Sequence, residues 1–544
     1  MIRTKKGTRM MLSSPPLEGH QIPLIHEVHS DDEHLLNTID GEWFTILYYF
    51  RWEDYRQFAA DYYNALYDFN QTPPQHTATG ENTIHETRGE ARQRLLFERA
   101  TAPIPINPPA PILYQANVIA GKAQDVQPSD AAPGIVPLRL VGRKPKCFFG
   151  LLKSFIGSSL MGFPAEPEHV HLLLKSNPAF ARVCGFSHKK KDREAYHYQQ
   201  VPSLRKLEQF DQIMADTGIW NRIKLSEVKT NLSRGVILPE KELVCYTTHY
   251  HAYSSFETVC YEDEKGKEQK KSQSKLTKSC RCEDWQACSH EWVLRDAGAG
   301  TIVKSGKKMI WGHKASIIGL PEQGIAIDAV AISDAATHDG QTFFPHVEKV
   351  LGDHPDLAQS VRRVLYDSAC NDAPLKQRFQ DDLEIELKAS FNPRRSKAIT
   401  AALPRGIEKI TPYGVPICLA GHELDYQGIR YATEKFIYRA PLGDDGLSVC
   451  IGCGERTQCC NSSSQSGRTI TVSFDTLKHI DPSDPPMAKR FKAIMTRRPS
   501  VERMIKRLKC DLGDDRLSKR GNDSFQAYLD KTMISYHLLI RHLH

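Results

Sequence analysis

A chain of 544 residues divides into two to four units at about 100 to 200 residues per domain, which excludes a single compact domain. Lys and Arg exceed Asp and Glu by 72 to 65, a formal charge of +7; so mild an excess permits an approach to nucleic acid without establishing one. The basic start MIRTKKGTRMMLSSPPLEGH is not followed by the apolar stretch of a secretory signal, and no apolar run approaches the roughly 18 residues that span a bilayer, so the reading is a soluble, cytoplasmic protein with no membrane partner.

In chain order, residues 39–69 are aromatic and polar without Gly or Pro after Gly41, and a short helical unit is expected within an N-terminal region of residues 1–100. Residues 101–146 read as a linker, because eight prolines fall between Thr101 and Leu140, where Pro density disfavours regular structure. From 147 to 235 the pattern is helical. Leu204, Leu207, Phe210, Ile213 and Met214 form a stripe at helical spacing, and the unit either binds DNA ends or simply packs.

Residues 236–400 change character. LVCYTTHYHAYSS is β-branched and aromatic, and KKMIWGHKASIIGL with GIAIDAVAIS predicts two strands around the turn PEQG. One helix is expected through TFFPHVEKVLGDHPDLAQSVRR, then the strand RVLYD, a helix APLKQRFQDDL and a strand EIELKASF. That order is α/β with a mixed sheet. Residues 401–485 return to short extended pieces, a β-rich insertion, and residues 486–544 contain two closing helices.

Catalytic groups of α/β sheets gather at the carboxyl ends of strands, and Asp367 ends RVLYD, where it either faces a metal ion or caps the next helix. Glu502 lies off the buried stripe Val501, Met504, Ile505 and Leu508, one turn from Ser500 as a candidate N-cap, at a helix start that favours a carboxylate. From Lys489 to Arg520 there are twelve Lys or Arg against four Asp or Glu; a solvated charged helix is the plain alternative.

The runs YDSACND, TRRPSVERMIKRLK and RLSKRGNDSFQAYL resemble the DDE transposases of bacterial insertion sequences, from about Phe148 onward. The resemblance implies an RNase H-like core, three carboxylates holding two Mg²⁺ or Mn²⁺ ions, and a β-rich insertion between the second Asp and the Glu. It implies that Asp367 and Glu502 are catalytic metal ligands and that double-stranded DNA, as element ends and target, is bound by a homo-oligomer. Two metals held by carboxylates clamp an in-line attack on phosphorus, while Arg497, Arg498, Lys506 and Lys509 would hold the DNA backbone.

The resemblance also places an Asp where this chain has Tyr246. A phenol with a pKa near 10 is a poor magnesium ligand, so either the copy is impaired or Asp296 supplies the first carboxylate; Asp339 serves as a turn or cap. The alternatives are a DNA-binding, inactive transposase relic and an RNase H-like nuclease without joining. Two clusters of soft ligands, Cys280, Cys282, Cys288 and His290, and Cys450, Cys453, Cys459 and Cys460, suit structural Zn²⁺ or are reduced thiols. His249 and His251 share a strand face as ligands, packing groups or DNA contacts.

Overall fold

The computed structural model describes residues 52–71, 146–187, 199–262, 268–278, 288–303, 309–391, 397–400, 402–459 and 467–544, with positions 43, 46, 47 and 266. The linker expected at 101–146 lies outside them, apart from its last residue. The chain forms two compact units: the first contains the chain up to Asn231 with 508–514 and 523–544, and the second contains 232–507 with 515–522.

The first unit is helical, with α1 (Arg56–Gln71), α2 (Phe148–Leu160), α3 (Pro167–Ser176), α4 (Pro178–Val183), α5 (Leu204–Asp216) and α6 (Ile219–Ser233). Every residue of α2 except Leu160 is buried, as befits a helix apolar on all sides at the centre of a bundle. Of the α5 stripe, Leu207, Phe210, Ile213 and Met214 are buried and Leu204 is half-buried, so this face packs a core. Phe210 meets Phe155 and, edge-on, Trp220, with ring centroids 5.6 and 5.8 Å away. Proline opens α3 and α4, where its missing N–H costs nothing, and Asn177 caps α4 by accepting from the Phe180 N–H at 3.0 Å.

The second unit is mixed α/β. Its strands are β1 (Glu242–His251), an arm of β2 (Phe256–Glu262) and β3 (Glu268–Ser274), then β4 (Gly300–Val303), β5 (Met309–Leu320) and β6 (Ile325–Ala331). After α7 (Asp339–Asp353) and α8 (Pro355–Ser360) come β7 (Arg363–Tyr366), α9 (Ala373–Leu383) and β8 (Glu386–Ala389). The main sheet runs β6-β5-β1-β7-β8, with β4 on the outer half of β5. The β5–β6 hairpin and the β1–β5 pair are antiparallel, whereas β7 is parallel to both β1 and β8.

Consecutive residues Val244 and Cys245 on β1, and Ile317 and Ile318 on β5, are all buried. Burial on both faces requires cover on both. The long helix expected from 342 to 363 is two helices, because residues before proline avoid the helical region: His354 has φ −131° and ψ 79°, and α8 restarts at Pro355.

The insertion follows as β9 (Ile407–Ile410), β10 (Pro416–Cys418), β11 (Asp425–Arg430), β12 (Lys435–Arg439), α10 (Arg456–Cys459) and β13 (Thr469–Ser473). It buries a core of its own around Ile410, Phe436, Tyr438, Val472 and Leu477. Two short helices, α11 (Lys489–Met495) and α12 (Ser500–Lys506), precede the closing helix α13 (Asn522–Leu543). From Asp523 onward α13 belongs to the first unit, where Lys531 is buried against Asp211 and Glu166 and Lys224 against Asp530. No helix among the described residues is long and apolar enough to cross a membrane.

Candidate active site

The parallel register sets Leu365 of β7 beside Val244 of β1. Two residues further along come Asp367, just past the end of β7, and Tyr246 on β1, and the two-residue step keeps each on the face of Leu365 and Val244. Gly319 of β5 lies opposite Val244 and admits α12 onto that face: a Cβ at Gly319 would stand 2.4 Å from the Met504 sulfur. Burial of Val501 and Met504, each contributing about 1.5–3 kcal/mol, fixes the helix and carries Glu502 to the same place.

The Tyr246 hydroxyl accordingly feels Asp367, Glu502 and Arg498. Burial raises its pKa most, the Arg498 guanidinium opposes that, and the two carboxylates raise it further, for a net shift upward. Tyr246 is therefore a neutral phenol at ordinary pH. Arg498 lies over its ring, 5.0 Å from the centroid, and reaches Glu502 Oε1 at 3.4 Å. The Glu502 side chain is 59% exposed, so this pair contributes under about 1 kcal/mol. Divalent metals of the magnesium type need several oxygen ligands. This place offers two carboxylates, a protonated phenol and a guanidinium already paired with one of the acids, which does not fit a two-metal centre.

Asp296 is elsewhere. Its carboxylate accepts from Ser254 Oγ at 2.6 Å and the Gly521 N–H at 2.7 Å, and its Oδ1 lies 3.0 Å from His313 Nε2. Burial works against its charge, but the hydrogen bonds from His313, Ser254 and Gly521 outweigh it and hold the carboxyl below its usual range. His313 is four residues along β5 from Ile317, the partner of Tyr246, roughly 13 Å of strand. Asp296, the alternative source of the first carboxylate, has its oxygens engaged by Ser254, Gly521 and His313. Asn522 extends the same network to His313 Nδ1 at 2.9 Å and to the Ser333 carbonyl at 2.7 Å. The run RLSKRGN is held to the sheet by this acid.

Other assignments resolve locally. Helix α9 is capped by Asp372, which accepts from the Leu375 N–H, while Asp367 directly precedes a 3-10 turn over Ser368–Cys370. Ser500 is the first residue of α12 rather than its cap, and its hydroxyl is buried without a hydrogen-bond partner. Asp339 stands in the first turn of α7 and binds Thr247 at 2.8 Å and Lys314 at 3.0 Å, a structural role. His251 is exposed and His249 half-buried.

The basic segment divides. Arg497 is engaged by Glu242 and Glu322 at 2.8 and 3.1 Å, and Arg498 lies in the site itself, so neither is an uncommitted phosphate donor. Lys506 is exposed, together with Lys489, Arg490, Lys492, Arg503 and Arg507, while Lys509 is half-buried and belongs to the first unit. The place of Arg498 was available from its spacing, four residues ahead of Glu502.

Of the cysteine clusters, Cys280, Cys282 and Cys460 lie outside the described residues. Cys288 is half-buried, with Lys278 donating to its carbonyl, and His290 is exposed. Cys450, Cys453 and Cys459 are free thiols on one cavity. Among the described residues, no group of three or more His, Cys, Asp or Glu side chains is closed up as a metal site.

No protein-family model matches the chain, and no curated protein matches it. Among solved structures the chain is similar to a piggyBac transposase in a synaptic complex with hairpin DNA, at 8% identity and a TM-score of 0.32 over 75% of this chain and 69% of that one, a likeness too slight to define fold or chemistry.

Proposed function

We propose that this chain is a transposase-type protein that grips duplex DNA and whose cutting site is impaired by Tyr246. One observation carries the reading: Tyr246, Asp367 and Glu502 meet at one point of the mixed sheet, from three segments separated by 121 and 135 residues of sequence. The β-rich insertion between Asp367 and Glu502 and the mixed sheet beneath them agree with the RNase H-like core of the DDE transposases that the sequence resembles. Asp367 and Glu502 correspond to the second and third acids of that arrangement, and the phenol stands where the first is expected.

A magnesium pair would bring in-line phosphoryl transfer to such a site, but the residues present do not assemble it. What they do is hold charge: Arg498 compensates Glu502, and the neutral phenol adds none. The exposed cations of α11 and α12 are suited to phosphates, a contact that carries no sequence information.

The test uses the full chain and a supercoiled plasmid bearing the genomic sequence that flanks its coding region. Binding is expected, falling steeply with salt because counterions are released, with no cutting in Mg²⁺ or Mn²⁺. Tyr246→Asp, alone or with Arg498→Gln, is expected to gain cutting that Glu502→Ala removes. Absence of DNA binding at low salt, or cutting by the unmodified chain that survives Glu502→Ala, would overturn the reading.

A further inference from the structure

The insertion contains a cavity that the DNA chemistry does not use. Four thiols line it, Cys418, Cys450, Cys453 and Cys459, and all four are free and half-buried. They come from three places in the chain. Cys418 ends β10, where it pairs with Ile407 of β9. The residue before Ile407 is Gly406, at φ +73°, whose missing Cβ would lie 2.7 Å from the Cys459 Cα. Only glycine allows that approach, and it sets the β9–β10 hairpin against α10, so that Cys418 and Cys459 face the same space. Arg405 fastens the contact by donating to the carbonyls of Thr457 and Gln458.

Cys450 and Cys453 arrive on a turn. Gly452 between them has φ +76° with nothing within 4 Å of a Cβ, so its need for glycine is conformational, and the turn keeps both thiols at the cavity. Cys459 lies near enough to Cys418, Cys453 and Arg468 to interact with each of them. Arg456 and Arg468 line the same cavity, and Arg468 Nη1 is buried without a hydrogen-bond partner.

We propose that Cys418, Cys450, Cys453 and Cys459 bind one structural zinc ion. Tetrahedral zinc takes four thiolates, including pairs spaced as Cys-x-x-Cys, and four thiolates on one divalent ion leave two negative charges, which the two arginines of the cavity offset. Each thiol loses its proton to solvent on binding, with no redox change. As they stand the thiols are not placed to hold an ion, so binding requires them to close in around it, its binding energy serving as folding energy for the insertion. Cys418 replaces Cys460 in the ligand set expected from sequence, since adjacent Cys459 and Cys460 are poorly placed to reach one ion together.

The experiment measures zinc per chain in the purified full-length protein by mass spectrometry. Cys418→Ser is expected to lose one equivalent relative to the unmodified chain, and Cys460→Ser none. Should Cys418→Ser fail to fold, cobalt(II) exchanged into the unmodified chain is expected to give thiolate charge-transfer absorption, and a chelator to lower its melting temperature. An unmodified chain without bound zinc, a disulfide among the four thiols, or loss of the ion in Cys460→Ser but not in Cys418→Ser would overturn the proposal.

Discussion

Replacing Asp296 by alanine separates a structural acid from a catalytic one. Asp296 is 1% exposed, and the change would strand three groups that now point at it: the Ser254 hydroxyl, the Gly521 N–H and His313 Nε2. A buried donor left without a partner costs about 1–3 kcal/mol, and three groups lose theirs together. Ser254 also accepts from Trp311, a bond that the change leaves in place. The expected loss is therefore about 3–5 kcal/mol, a large share of the roughly 5–15 kcal/mol that holds a domain. Equilibrium urea unfolding followed by circular dichroism measures it. Asp296→Asn keeps the volume and one acceptor and should lose less. An alanine variant within about 1 kcal/mol of the unmodified chain would refute the structural assignment. Cutting of DNA abolished by Asp296→Asn at unchanged stability would make Asp296 the first catalytic acid after all.

The same acid predicts a pH dependence. Burial disfavours its charge, but His313, Ser254 and Gly521 hold its pKa below the ordinary value, so its contribution is full above about pH 4 and drains away as pH falls through the folded pKa; Asp296→Asn should lack this acid-side loss in a melting-temperature titration. Gly319→Ala would place a Cβ 2.4 Å from the Met504 sulfur and 2.6 Å from the Ile325 carbonyl, and overpacking of this kind costs about 1–3 kcal/mol; urea unfolding at or above the unmodified midpoint would contradict it. Arg541→Ala leaves Glu227 buried, with the Tyr55 hydroxyl still donating to it at 2.5 Å, and thermal unfolding should show a loss near the 3–5 kcal/mol typical of a broken buried pair.

Much of the α/β unit was legible because its strands carry local signals. The alternation and β-branching of LVCYTTHYHAYSS and KKMIWGHKASIIGL correspond to β1 and β5, and the strand end at Asp367 followed from RVLYD. The arm β2–β3 went unread, since EQKKSQS is polar throughout and is a strand only by pairing with its neighbour. Partnership was also invisible: nothing local says that Asp296 faces His313 and Gly521, 17 and 225 residues away, or that Cys418 shares a cavity with Cys459. The exposed surface of Arg497 could not be separated from its engagement by Glu242, 255 residues distant.

The way the chain is threaded sets the order in which it can mature. The α/β unit draws on residues 232–507 and 515–522, whereas the helical unit needs a segment beginning at Asp523, whose Ala527, Ile534 and Leu538 fill its core and whose Lys531 is the buried cation beside Asp211 and Glu166. The helical unit is therefore completed only when α13 has been made. A message cut short before α13 would yield one folded half and one sticky, protease-sensitive half. Fragments for biochemistry are better made by removing the insertion, which has a core of its own, than by trimming from the end.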